Sequence, residues 1–199
     1  MQEEKLRGVK IGVVFTGSHC SMQDVIPQVE ALKAEGAELY AIFSDAVYHT
    51  DNRFYQAEDF RRTIEKLADH PIIHTIPGAE PIGPKKLLDI ILVLPATGNT
   101  IAKLANGITD TPATMAVKAH LRNQRPVVLA MATNDALGMN AKNIGLLLNV
   151  RHMYFVPFRQ DDPYGKATSM VAAMNRTVDT VCAALEGRQL QPVILGSGE

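Results

Sequence analysis

Leu87-Leu-Asp-Ile-Ile-Leu-Val-Leu94 runs directly into Pro95-Ala-Thr-Gly-Asn-Thr100. The first stretch carries one charge, is rich in β-branched residues and has no polar–apolar alternation, so it reads as a strand buried on both faces. The second stretch breaks the strand at Pro95 and opens a helix, with Thr97 or Asn99 placed to cap it before Ile101. A strand without a solvent face needs helices on either side. That requirement points to a parallel sheet built from βαβ units.

The pattern repeats outward from this point. Val9–Phe15 (VKIGVVF) reads as the first strand, ending at Thr16-Gly17-Ser18. Val25, Val29 and Leu32 form a helical stripe closed by Gly36 as C-cap, with Pro27 predicting a kink or a restart. Leu39–Phe43 is the second strand, ending at Ser44-Asp45, and Phe60, Ile64 and Leu67 mark another helix. Ile72, Ile73 and Ile76 suggest a short third strand before a Gly/Pro-rich loop from Pro77 to Pro84. Beyond the central strand, helical sequence covers Lys103–Asn106 and Ala113–Arg122. Pro126–Met131 and His152–Val156 give the fifth and sixth strands. Met170, Met174, Val178, Val181 and Leu185 predict one last helix, and Pro157–Ser169 a long loop able to act as a lid. The expected fold is a single doubly wound, Rossmann-like α/β domain over residues 1–189, with about six parallel strands, helices on both faces and a tail over 190–199.

Composition narrows the function classes. Twenty Lys and Arg against 21 Asp and Glu leave a net charge of −1, so no global field draws the chain to nucleic acid. No apolar run approaches the ~18 residues that span a bilayer, and the N-terminus lacks the regions of a signal peptide. Cys20 and Cys182 are too few for a disulfide framework or a thiolate zinc site, so no metal is expected and a cytoplasmic location is.

In open parallel sheets, ligands bind beyond the carboxyl ends of the strands. Those ends carry Thr16, Gly17 and Ser18; Ser44; Thr97, Gly98, Asn99 and Thr100; and Asn134. Glycines admit a ligand close to the backbone, and the first turn of each following helix offers unpaired N–H groups to an anion. These residues are the predicted cofactor-binding set. His19 and Cys20 sit between strand and helix, where a thiol pKa falls, and are the catalytic candidates; a packed Cys and a capping His are the plainer alternative. Cys182 belongs to the last helix's apolar stripe. Asp161-Asp162-Pro163 reads as a turn. The spacing G-x-G-x-x-G is absent, as is the P-loop pattern.

Pro95-Ala-Thr-Gly-Asn-Thr-Ile-Ala-Lys-Leu-Ala-Asn-Gly-Ile-Thr-Asp110 resembles the central motif of the flavoprotein family that includes flavin-dependent cysteine decarboxylases. Thr16-Gly17-Ser18, Ser44, Arg53-Phe54 and the run from Val128 to Asn134 are similar to other motifs of that family, although Met131 and Thr133 depart from the last one. The position of those decarboxylases' catalytic His falls on Pro81, which cannot move a proton, and His74 is the nearest substitute. The remaining histidines, His49, His70, His120 and His152, read as ordinary surface or core.

A fuller resemblance is to the B subunits of dipicolinate synthases. These share T-G-S-H-C after the first strand, T-N-D-A-L-G-[LM]-N after the fifth, and the matches Phe158–Pro163 and Ser169–Ala172. That resemblance implies oxidation of a dihydro- or hydroxytetrahydro-dipicolinate to dipicolinate in the mother cell of a sporulating bacterium. It implies a dehydrogenase-like A subunit as partner, a small dicarboxylate substrate and NADP used by the partner. The broader flavoprotein resemblance implies FMN as a cofactor of this chain and a homo-oligomer, and the strand-end sites suit either a flavin phosphate or a dicarboxylate. A flavin enzyme for another acid and a non-catalytic binding or scaffolding subunit are the alternatives.

Overall fold

In the computed structural model of the protein, residues 4–17, 22–52 and 54–196 are described, with 22 and 23 traced by their backbone. The central strand forms, but it begins at Ile90 rather than Leu87 and continues through Pro95, where the sequence predicts a break, to Ala96; every residue of Ile90–Ala96 is buried. In chain order the elements are β1 (Lys10–Phe15), α1 (Met22–Ala34), β2 (Glu38–Phe43), α2 (Asp45–His49), α3 (Ala57–Leu67), α4 (Ile76–Ala79) and β3 (Ile90–Ala96). There follow α5 (Gly98–Ala105), α6 (Pro112–Leu121), β4 (Val127–Thr133), α7 (Ala141–Leu148), β5 (Met153–Phe155), β6 (Phe158–Asp162), β7 (Lys166–Ala172) and α8 (Thr177–Leu185).

The strands make one sheet in the order β2-β1-β3-β4-β7-β6, with β5 also on β4. Pairs among β1, β2, β3, β4 and β5 are parallel; β7 is antiparallel to both β4 and β6. The edge of β4 is shared, because β5 pairs with Val127, Val128 and Leu129 while β7 pairs with Ala132 and Thr133. Strand side chains alternate between two cores. Val13, Phe15, Leu92 and Val128 meet α1, α3 and α8 on one face; Val14, Ile91, Val93 and Leu129 meet α5, α6 and α7 on the other. The fold is thus the doubly wound α/β sheet expected, except that five of its seven strands are parallel and the β6–β7 pair adds two antiparallel ones.

Four element assignments change. Ile72, Ile73 and Ile76 form no strand: Ile73 makes a single parallel bridge to Ile42, and Ile76 starts α4, capped by Thr75. The segment is too short to exchange more than the two backbone bonds it makes with Ala41 and Phe43. The predicted lid is a β-hairpin, β6–β7, whose base continues the sheet. Met170 therefore belongs to β7, and Met174 to a single 3₁₀ turn before α8. Alternation along β7 and helical spacing in α8 coincide at these methionines, so one apolar stripe runs through two different elements. Finally, α1 runs unbroken through Pro27. That proline is exposed and costs the helix one backbone hydrogen bond near its start, while buried Val25, Val29 and Leu32 hold the helix. Gly36 closes α1 with φ +85°, a conformation that favours glycine.

Residues 190–196 lie along β6: Phe158 N–H donates to Val193 O (3.0 Å) and Leu195 N–H to Phe158 O (2.9 Å). No helix among the described residues is long and apolar enough to cross a membrane.

Candidate functional site

The strand order reverses between β1 and β3, since β1 turns to β2 on one side and the chain then returns to build outward on the other. Such a reversal leaves a crevice above the carboxyl ends of the two strands. A cavity of about 370 Å³ sits there, lined by Thr16, Gly17, Ser44, Asp45, Ala46, Thr97, Asn99, Thr100, Lys103 and Thr111. Its volume falls within the ~300–1,000 Å³ of small-molecule and cofactor sites.

The hydroxyls in it are not equivalent. Thr16 Oγ1 donates to Pro95 O (2.7 Å) and accepts from Thr97 N–H (3.2 Å), which ties the end of β1 to the end of β3. Thr97 is the N-cap of α5, as the sequence allowed: its Oγ1 accepts from Thr100 N–H (3.2 Å) and lies 3.0 Å from Thr100 Oγ1. Thr111 caps α6 in a reciprocal capping box with Thr114. These four hydroxyls are engaged in the architecture. Ser44 differs. Its Oγ is buried and has no hydrogen-bond partner among the described residues, although Ser44 precedes α2 and is free to cap it.

Lys103 is the one cation among the described residues lining the cavity, and it falls outside the set that strand-end position predicts. Its ammonium meets both carboxylate oxygens of Asp110 (2.8 and 2.9 Å). Asp45 also reaches the lining, so the site is polar with mixed charge and not simply basic. A signal for Lys103 is present in the sequence: it follows Thr100 by three residues, one turn further along the same helix face.

Two predicted site residues stand elsewhere. Gly98 is buried against the loop after β4; a Cβ there would stand 2.8 Å from Asn140 Nδ2 and from Asp135 Oδ1, and would meet Thr133 Oγ1 more closely still. Its side of the turn faces away from the cavity, leaving only its backbone N–H to serve a ligand. Asn134 does not line the cavity. Its carbonyl accepts from Thr168 Oγ1 (2.6 Å) and its side-chain oxygen from Ser169 Oγ (3.3 Å), both on β7. The hairpin, which sequence periodicity does not reveal, claims it. Ser18, His19, Cys20 and Arg53 lie outside the described residues.

The other candidates separate from the crevice. His74 stacks on Tyr48 (3.9 Å between centroids, 10° between planes), and the pair lines a different depression with Asp69 and His70. His70 Nε2–H donates to Glu38 Oε1 (2.7 Å), and this bond, with a second from Tyr40, holds the Glu38 carboxyl below its usual range. Pro81 sits in a 3₁₀ turn, Glu80–Ile82. Cys182 packs partly buried on α8; burial pushes its thiol up, away from reactivity. Asp162 closes the hairpin turn, accepting from Gly165 N–H (2.9 Å). Among the described residues no group of His, Cys, Asp and Glu is arranged to hold a metal ion.

A crevice at a β1/β3 reversal, lined by hydroxyls, Lys103 and Asp45, places a polar site of mixed charge where doubly wound parallel-sheet proteins bind small ligands. The chain belongs to the flavoprotein family, whose sequence pattern matches residues 1–186. It is 45% identical over 190 residues to the dipicolinate synthase B subunit of Bacillus subtilis (strain 168), an alignment covering 96% of this chain and 95% of the relative. The crystal structure of the dipicolinate synthase B subunit from Bacillus halodurans superposes with a TM-score of 0.89 at 41% identity, over 96% of this chain and 98% of that one. A dodecameric FMN-dependent UbiX-like decarboxylase from Escherichia coli O157:H7 shares the fold alone, with a TM-score of 0.61 at 20% identity over 75% of this chain and 80% of that one.

Proposed function

We propose that this chain is the flavin-binding B-type subunit of a dipicolinate synthase, contributing to oxidation of a dihydro- or hydroxytetrahydro-dipicolinate beside a dehydrogenase-like A subunit. Likeness along nearly the whole chain to dipicolinate synthase B subunits supports the substrate. The observation that carries the cofactor is the buried, unpartnered Ser44 hydroxyl in the cavity at the strand reversal. A polar atom hidden from water costs about 1–3 kcal/mol unless something bonds it, and an FMN phosphate or hydroxyl fits that need.

Ser44 Oγ would hold one anionic or hydroxyl oxygen, the Gly17 and Gly98–Asn99 backbone N–H groups others, and Lys103 would supply the compensating charge. Thr16, Thr97 and Thr100 fix the turn and leave it little freedom to reorganise on binding. Two-electron oxidation or reduction of a carbon acid is the chemistry that a bound flavin supplies. The likeness to dipicolinate synthase B subunits supports placing NADP on the dehydrogenase-like partner subunit. His19 and Cys20, which follow β1 in the sequence, are the side chains this reading keeps for proton transfer. Exposed Leu137, Met139, Leu146, Leu148 and Val150 cluster around α7 and support assembly with a partner or with further copies. The mother-cell cytoplasm is the proposed location.

Visible absorbance of the purified chain, followed by FMN titration, tests the cofactor. Saturable uptake with a shifted flavin spectrum is the expected result; no uptake at any concentration refutes it and leaves the donors to a dicarboxylate. Mixing with the partner dehydrogenase-like protein tests the reaction. Dipicolinate should form faster than with that partner alone, and an unchanged rate refutes a catalytic contribution. Loss of that stimulation in Asn99→Ala, with the complex intact, excludes pure scaffolding.

A further inference from the structure

Gly98 stands between two polar groups of residues. Thr97, Asn99 and Thr100 around it line the cavity, while Thr133, Asp135 and Asn140 occupy the space on its other side that a side chain at position 98 would need. The second group is a connected chain. Asp135 accepts from Thr133 Oγ1 (2.5 Å) and, on both oxygens, from Asn140 Nδ2 (2.9 and 2.8 Å). Asn143 Nδ2 donates to Asn140 Oδ1 (2.8 Å), and Asn106 Nδ2 donates to Asn143 Oδ1 (3.3 Å). Asn106 is the C-cap of α5 and also donates to Ala102 O (2.7 Å). The chain thus starts at the end of β4, crosses the buried face of α7, and reaches the far end of the helix that Gly98 begins.

Two buried amides, one at the N-cap of α7 and one on its inner face, are an odd choice for packing alone. Asn140 and Asn143 are 6% and 5% exposed, beside Ile144 and Leu147 on the same face. Apolar side chains there would fill the space without needing partners. Asn140 and Asn143, buried and hydrogen-bonded through both ends of each amide, instead hold the exposed Asp135 and Asn106 in one arrangement. Here the arrangement is the seat of the Gly98 turn.

We propose that Asp135, Asn140 and Asn143 are positioning residues that clamp the Gly98–Asn99 turn to the end of β4 and so set ligand affinity in a cavity they do not line. The consequence for affinity rests on the proposed flavin reading; the clamping itself does not. Direct charge acts the other way, because an Asp135 carboxylate beside the first turn of α5 repels an anion held there. The sign of the Asp135→Asn effect therefore separates the two. If clamping governs, the isosteric loss of charge and of one acceptor weakens FMN binding, by about tenfold. The exchanged pair D135N/N140D returns the carboxylate to the network and restores affinity to within about threefold of the parent.

The measurement is FMN titration of the parent, D135N and D135N/N140D by absorbance, with amide NMR of Gly98 and Asn99 in the flavin-free proteins and a thermal melt of each. Weakened binding in D135N, displaced Gly98 and Asn99 resonances, and recovery of both in the exchanged pair support the inference. Tighter or unchanged binding in D135N overturns it, as does a loss that the exchange leaves unrepaired while the melt is intact. If D135N fails to fold, Asn143→Asp, which keeps the acceptor for Asn106 but sets a carboxylate against the Asn140 oxygen, takes its place with the same two readouts. A parent chain that takes up no flavin refutes the proposed function instead. The clamp then stands or falls on the flavin-free amide shifts.

Discussion

Ser44 donates its backbone N–H to Phe15 O (3.0 Å) and gives its side chain to nothing among the described residues. The hydroxyl does not cap α2, so the helix loses nothing without it. Ser44→Ala should therefore leave the flavin-free protein as stable as before, or up to about 1 kcal/mol more stable, because a buried unsatisfied group is removed. The same change should weaken FMN binding about five- to tenfold, the worth of one hydrogen bond. Urea unfolding and FMN titration on one preparation give both signs. A variant that is destabilised with unchanged affinity would show that the hydroxyl serves the fold. Thr16 is the contrasting case: sequence places both residues at strand ends, but only the structure shows one hydroxyl spent on Pro95 and the other unspent.

The β6–β7 hairpin decides the next scale up. Its base is part of the sheet, with Val171 opposite Ala132 and Met170 opposite Thr133. Thr168 O accepts from Leu137 N–H (3.0 Å), and Ser169 is buried. Its tip is exposed, with Tyr164 wholly in solvent. Amide exchange should accordingly fall into two classes: Met170 and Val171 as slow as the neighbouring strands, and the turn from Tyr164 to Lys166 faster by orders of magnitude. Uniformly fast exchange from Phe158 to Ala172, slowed by ligand, would instead show a mobile lid. The seven-residue alternation of β7 is faint in the sequence. Asp161-Asp162-Pro163, a strong turn signal, makes the whole stretch resemble a loop, because an antiparallel edge strand needs little apolar sequence.

At the scale of the molecule, acid should lower stability over two successive pH ranges. His120 is 1% exposed in the last turn of α6, 3.1 Å from Pro126 O. Burial, with Arg125 nearby, brings its pKa down to about 4 from the ordinary 6.5, although the Pro126 carbonyl opposes the change. Between those two values the unfolded chain takes up a proton that the native state refuses. Stability is therefore complete above pH 6.5 and declines as pH falls toward 4, by at most about 3 kcal/mol from this residue. Glu38, Asp69 and Asp135 are held below the usual carboxylate range by their partners, so their contributions are lost only at lower pH. His120→Gln keeps an N–H for Pro126 without titrating. Urea midpoints at about pH 7.5 and about pH 5 should differ less in this variant than in the parent, and an equal difference would remove His120 from the account.

Hydrophobic patterning alone determined the buried strands, the parallel sheet and the placing of polar turns at its carboxyl ends, because burial on two faces writes itself into consecutive residues such as Ile90, Ile91, Leu92 and Val93. Thr97 as a cap and Gly36 as a helix stop were legible for the same local reason. Tertiary structure decided what no neighbouring residue records. It gave Asn134 to the hairpin, left the Ser44 hydroxyl without a partner among the described residues, and joined Asn106, Asn143, Asn140 and Asp135 into one chain across three elements. Hydrogen bonds between side chains depend on distances across the fold, and a one-dimensional pattern carries periodicity but not those distances.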